Sequence, residues 1–221
     1  MNEEIRWVLK YCAINKLSVN FKKTNYILIA SSKKKVHINI HNIDCKSYIK
    51  YLGIYLDEHL QWESQIPRVN NKLAKNVGII NKLGHYLDFH VLKQLYHTLI
   101  YPYFNYGLAS WGAAYKTRVN KICTKQNRCL RSMFFAHGRE HVNPCYNLLG
   151  ILKLENIYRL KVSLFTYKLK KDKSNTTAVL LNILTPASEI HPYNTSYVTN
   201  KNLFKPSVRT NYGMSTLNSL Q

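Results

Sequence analysis

Acidic side chains are scarce in this sequence: 11 Asp and Glu stand against 32 Lys and Arg, leaving a formal net charge of +21. Four of the acids are aspartates, Asp44, Asp57, Asp88 and Asp172. Phosphoryl transfer with two metals needs several carboxylates converging on Mg²⁺, so the supply is poor. The adjacent pair Asp57-Glu58 is expected to serve as a turn or helix cap. No run approaches the roughly 18 apolar residues of a spanning helix, which sets the membrane aside as a partner. A secretory leader is not expected either, because Arg6 and Lys10 interrupt the apolar stretch after Met-Asn-Glu-Glu. The expected location is intracellular, in the nucleus or cytoplasm.

The five cysteines, Cys12, Cys45, Cys123, Cys129 and Cys145, are odd in number and contain no Cys-x-x-Cys pair. That excludes a disulfide framework and a zinc ribbon, and reduced thiols are expected. The tripeptides at Asn175 and Asn194 match glycosylation acceptors, which have no meaning inside a cell. A glycine-rich phosphate loop and a nucleophile elbow are both absent. His137-Gly-Arg-Glu-His141 fits a pattern in which two histidines one helical turn apart bind zinc beside a general base. Gly138 lies within it, Pro144 follows closely, and only distant Glu155 or Glu189 could complete the ligand set. A surface loop is the preferred reading, with a zinc hydrolase as the rival. No catalytic residue and no metal ligand is assigned.

What the chain does have is enough apolar content, 46% of 221 residues, to bury a core in one large or two small domains. Residues 3–14 carry Ile5, Val8, Leu9 and Cys12 at helical spacing. Residues 24–30 and 36–40 read as a β-hairpin with a basic tip. Residues 49–56 read as a third β segment in which Gly53 marks a bulge or a close backbone approach. Helical patterning follows over 64–84, with Ile66, Val69, Leu73, Val77 and Ile80 on one side. It continues over 89–107, where Pro102 should kink or break the helix, and over 148–171. After about residue 173 the periodicity fades.

The clearest amphipathic segment is 116–135. At 100° per residue Val119, Ile122, Cys123, Leu130 and Met133 share one arc, while Arg118, Lys121, Lys125 and Arg128 fall within about 80° on the opposite side. Residues 116–131 hold six cations, Arg131 included, and no acid. A surface of this kind suits a polyanion, and each such cation can release a counterion condensed on a phosphate backbone. Nucleic acid is the expected partner, and some of the 17 tyrosines are placed beside lysines where they could stack bases.

Asn15-Lys-Leu-Ser-Val-Asn-Phe-Lys-Lys-Thr24, Lys50-Tyr-Leu-Gly-Ile-Tyr-Leu-Asp57, Leu60-Gln-Trp62, Tyr106-Gly-Leu-Ala-Ser-Trp-Gly112 and Gln126-Asn-Arg-Cys-Leu-Arg131 stand in an order that resembles one family. It is the reverse transcriptase of non-LTR retrotransposons, of the jockey and LINE kind, and the resemblance covers nearly the whole chain. It implies a C-terminal fragment of an RNA-directed DNA polymerase that begins just after the metal-binding Tyr-Ala-Asp-Asp box. Mg²⁺ then belongs to the parent enzyme, and this fragment binds no cofactor and is inactive alone. Lys22 or Lys23 falls where the family's late-palm lysine protonates pyrophosphate. Tyr51, Leu52 and Gly53 fall in the primer-grip hairpin, and the helices from Ser64 onward correspond to the thumb and connection.

The fold expectation is α+β: a late-palm and primer-grip segment over 1–62 with a small antiparallel sheet, a helical thumb and connection over 63–172, and an irregular, truncated basic tail over 173–221. Arg118, Lys121, Lys125, Arg128 and Arg131 are the expected nucleic-acid contacts, and an RNA template–DNA primer duplex is the expected partner. The fragment would also lack its fingers, remaining palm and endonuclease. The alternative is a non-catalytic RNA- or DNA-binding protein derived from a mobile element. An in-frame Tyr-Ala-Asp-Asp box in the nucleotides upstream of Met1 would separate the two.

Overall fold

The computed structural model describes residues 2–30, 43–136, 138 and 140–172, arranged in two compact units, Met1–Asn71 and Lys72–Gln221. The class is α+β, with one helix, then short strands, then the remaining helices.

In the first unit, α1 spans Asn2–Ile14. It closes where Lys16 turns left-handed (φ 55°) and the Leu17 N–H donates to the Cys12 carbonyl at 2.8 Å, a helix-ending geometry more often given to glycine. The apolar positions of α1 are covered unevenly: Ile5 and Cys12 are half-buried, whereas Val8 and Leu9 are exposed. β1 (Asn25–Tyr26) pairs in parallel with β2 (Asp44–Cys45). The second half of the hairpin expected over 24–40, with its basic tip, lies outside the described residues; the pairing that is described runs from β1 to β2.

β3 (Tyr48–Tyr51) and β4 (Ile54–Asp57) form an antiparallel hairpin with Tyr51 opposite Ile54. The β segment in which Gly53 is expected to mark a bulge or a close backbone approach is therefore folded back on itself, with the reversal at the Tyr51–Gly53 position where the resemblance implies a hairpin. Its two turn residues have φ of 45° at Leu52 and 82° at Gly53, which matches the handedness that a two-residue loop needs to follow the strand twist. Glycine adopts that conformation without steric cost. The hairpin is tied down at its base. The buried Gln65 side-chain oxygen accepts the Tyr55 N–H at 3.1 Å, and the Arg68 guanidinium lies 4.0 Å from the Tyr55 ring centroid.

α2 runs over Gln65–Leu83, and Ile66, Val69, Leu73, Val77 and Ile80 are all buried, as their spacing implies. In the second unit, α3 (Phe89–Leu95) is capped by Asp88, whose carboxylate accepts the Val91 N–H at 2.9 Å. The break expected at Pro102 takes the form of a π-turn over Tyr96–Ile100, after which α4 (Tyr101–Asn105) begins with Pro102 in its first turn. A proline is tolerated there because its missing N–H has no intrahelical partner to lose. The Asn76 amide donates to the Leu99 carbonyl within that π-turn at 2.6 Å.

α5 (Leu108–Trp111) and α6 (Lys116–Phe134) follow. The single helix expected over 148–171 is two: α7 (Asn143–Leu149) ends at Gly150 with φ 64°, and α8 spans Leu154–Lys171. Gly150 caps α7 in the left-handed conformation, its N–H directed at the Asn147 and Tyr146 carbonyls, so the periodicity that crosses it belongs to two helix axes. The centre of this unit is Tyr96, Ile100, Phe104, Leu108, Trp111, Ile122 and Leu130, each 1% exposed or less. Among the described residues no helix is long and apolar enough to cross a membrane.

Candidate nucleic-acid interface

α6 has one side in the core and another in water. Ile122, Cys129, Leu130 and Met133 are buried, while Val119 and Cys123 are half-buried at the margin of that side. The middle of the apolar arc is occupied by a residue that sequence reasoning passed over, Gln126, which is 1% exposed. Its amide donates to the Tyr96 hydroxyl and the Leu152 carbonyl, and its oxygen accepts the Leu154 N–H, each at 2.9 Å. A buried amide satisfied on three sides fixes the rotation of α6 about its axis. Its position at the centre of the apolar arc was the available signal, since a polar residue there must find partners.

With the rotation set, the cations face outward. Lys116, Lys121 and Arg128 are exposed, Arg118 and Lys125 half-buried. Among the described residues Lys116, Lys121, Lys125 and Arg128 have no carboxylate within 4.0 Å. The Arg118 guanidinium lies 5.8 Å from the Tyr115 ring centroid. Arg131 is placed differently: it is half-buried, and its guanidinium donates from Nε and Nη2 to the Glu140 carbonyl at 3.3 and 3.2 Å. It pins the segment after α6 and stands beside the strip formed by Arg118, Lys121, Lys125 and Arg128.

The other sequence-expected residues belong to the first unit. Lys22 and Lys23 are exposed on a tight turn, where the Asn20 side-chain oxygen accepts the Lys23 N–H at 3.2 Å and the Thr24 hydroxyl donates to the Asn20 carbonyl at 2.9 Å. Tyr51, Leu52 and Gly53 form the exposed tip of the β3–β4 hairpin. They sit on a separate turn from the two lysines.

The carboxylates that are described do not fit a two-metal centre. Asp57 is buried, and its two oxygens accept the Gln61 N–H at 2.7 Å and the Glu63 N–H at 3.1 Å. They hold a turn in which Leu60 and Trp62 are left-handed. Glu58 lies 3.6 Å from the His59 ring at the surface. Of the His-x-x-Glu-His segment, His137 and Arg139 lie outside the described residues; Gly138, Glu140 and His141 are exposed in the stretch between α6 and α7.

Deep in the helical unit, burial pushes the phenols of Tyr96 and Tyr146 and the thiol of Cys129 upward, the last to about 12. Burial, with Glu155 adding to it, raises the Cys123 thiol to about 11. These four groups stay neutral at ordinary pH and add no negative charge beside the α6 face. No family model, curated protein or solved structure matches the chain.

Proposed function

We propose that the chain is the late-palm, primer-grip and thumb part of a non-LTR retrotransposon reverse transcriptase, and that it grips a template–primer duplex without polymerising alone. The observation that carries this reading is the outward strip of Arg118, Lys121, Lys125 and Arg128 on a helix whose opposite side is locked into the core. Cations held on a rigid element contact phosphates without reading sequence. The motifs around Tyr51–Gly53 and Lys22–Lys23 add the resemblance, and Gly53, having no side chain, lets a strand end come close to the exposed hairpin tip. Mg²⁺ belongs to the parent enzyme, held by carboxylates of the Tyr-Ala-Asp-Asp box. Asp57 is committed to its turn and is assigned no metal.

Fluorescence anisotropy with two primer–template duplexes of unrelated sequence tests the reading, with a primer-extension assay in Mg²⁺ beside it. Both duplexes should bind with closely similar affinity and neither should be extended. Absence of binding at low salt, or extension that disappears in Asp57→Asn, would overturn it.

A further inference from the structure

We infer that the groove between the end of α2 and the end of α6 receives an unpaired nucleotide, its base stacked on Phe135 and its phosphate on Arg128. The inference rests on the nucleic-acid reading above and extends it, since the cationic strip alone takes only backbone. The groove is shallow and open to solvent, has a volume of about 490 Å³ and lies wholly within the helical unit, with Asn81 and His85 on one wall and Arg128, Arg131 and Phe135 on the other. That volume falls in the range of roughly 300–1,000 Å³ typical of small-ligand sites.

Phe135 is the telling residue. It follows the last turn of α6 with φ 53° and ψ 26°, and the Ala136 N–H closes the helix onto the Arg131 carbonyl at 3.0 Å. This is the position at which glycine usually ends a helix, because a side chain there is sterically costly. A phenylalanine in that conformation is uncommon, and here its ring is 60% exposed and lies against His85, with ring centroids 5.1 Å apart at 49°. Nothing in the packing of the core calls for a large ring at that point. Strained backbone holding a ring toward water beside cations is the pattern of a site, where strain persists because function needs it.

The residues around the ring supply the rest of a nucleotide's requirements. Arg128 is exposed with no carboxylate within 4.0 Å among the described residues, so its charge is available to a phosphate. Arg131 is held by the Glu140 carbonyl and lines the groove as a fixed cation. Asn81 is exposed and offers an amide donor and acceptor to a base edge. Inside a duplex the faces of paired bases are covered by their neighbours, so away from the duplex ends it is an unpaired base that presents its π-face to Phe135.

Phe135→Gly tests this cleanly, because glycine suits the left-handed position and the helix end should survive the loss of the ring. Affinities of the full chain for a short oligouridine strand and for a blunt duplex are measured side by side, with helicity checked by circular dichroism. We expect the single-strand affinity to fall about ten- to a hundredfold, the size of one base–aromatic stack, while duplex affinity is unchanged; Phe135→Tyr should restore the single-strand affinity. Undiminished single-strand binding in Phe135→Gly, equal losses on both probes, or no single-strand binding by the parent chain would overturn the assignment. A chain that binds the single strand through Phe135 but ignores the duplex would retain the groove and refute the duplex grip. The reverse result would refute the groove and leave the grip standing.

Discussion

The helical unit and the unit before it handle their apolar side chains in different ways. In the helical unit Tyr96, Phe104, Trp111 and Leu130 are almost wholly out of water, and the polar Gln126 among them makes three hydrogen bonds. In the earlier unit Trp7, Tyr11, Ile14, Leu17, Tyr51 and Leu52 are each more than half exposed, and the buried apolar set among the described residues is Trp62, Ile66 and Val69. A fully buried large apolar side chain contributes about 1.5–3 kcal/mol, so most of the packing free energy resides in the helices. The first unit relies on turn hydrogen bonds such as those of Asp57 and Asn20. A rigid scaffold is what a phosphate-binding face needs, which is why the strip on α6 is the stronger interface candidate than the turn at Lys22 and Lys23.

Four experiments press on that contrast, taken from the largest effect down. The first is alkaline unfolding. In the folded state burial raises the Cys129 thiol from 9.0 to about 12, with Tyr96 and Tyr146 raised in the same direction. Their contribution is complete below the unfolded values and is lost as pH climbs toward the folded ones, because the unfolded chain ionises first. For Cys129 alone the loss between pH 9 and 12 is on the order of 4 kcal/mol. Stability to urea should fall as pH rises through that window, and a stability unchanged between pH 9 and 12 would show that the buried groups are not sealed.

Leu130→Ala comes next, with an expected cost of about 2–5 kcal/mol in urea unfolding, the range for a large-to-small change in a packed interior. A cost below 1 kcal/mol would mean that α6 is not docked as described. Gln126→Ala should cost roughly 1–3 kcal/mol, since it strips partners from the Tyr96 hydroxyl, the Leu152 carbonyl and the Leu154 N–H. It should also loosen the rotation of α6, visible as faster amide exchange at Leu154. Trp7→Ala is the foil: at 70% exposure its loss should change stability by no more than about 0.5 kcal/mol. A larger loss would erase the contrast between the units.

Where a single helix carried a clear period, the sequence alone was enough. The five apolar positions of α2 and the buried–cationic division of α6 are both legible at 100° per residue. The failures have local causes. Apart from Lys50, residues 49–56 are apolar or aromatic on both sides of Gly53, so their hydrophobicity does not mark the chain reversal; the Leu52-Gly53 pair, with φ positive at both, encodes it. Gly150 lies within a run that keeps helical spacing on both sides, and a terminating glycine looks there like an interior one. Gln126 was hidden because hydrogen-bond partners 26–30 residues away cannot be seen from the helix itself. The groove at Phe135 escaped for a related reason, since His85 and Phe135 are brought together only by the packing of α2 near α6.

That the outward strip of α6 binds phosphates is the claim on which the rest depends. Its most direct test is a salt titration of duplex binding by the parent chain and by a variant carrying Arg118→Gln, Lys121→Gln, Lys125→Gln and Arg128→Gln. Glutamine has a helix propensity close to that of lysine and arginine, so the fold should persist, and circular dichroism checks that it does. Four phosphates released from contact should make the slope of log affinity against log salt shallower by about 3.6, at roughly 0.9 per contact, on random duplexes. An unchanged slope in the folded variant would contradict the account and leave α6 with a solvated face and no ligand.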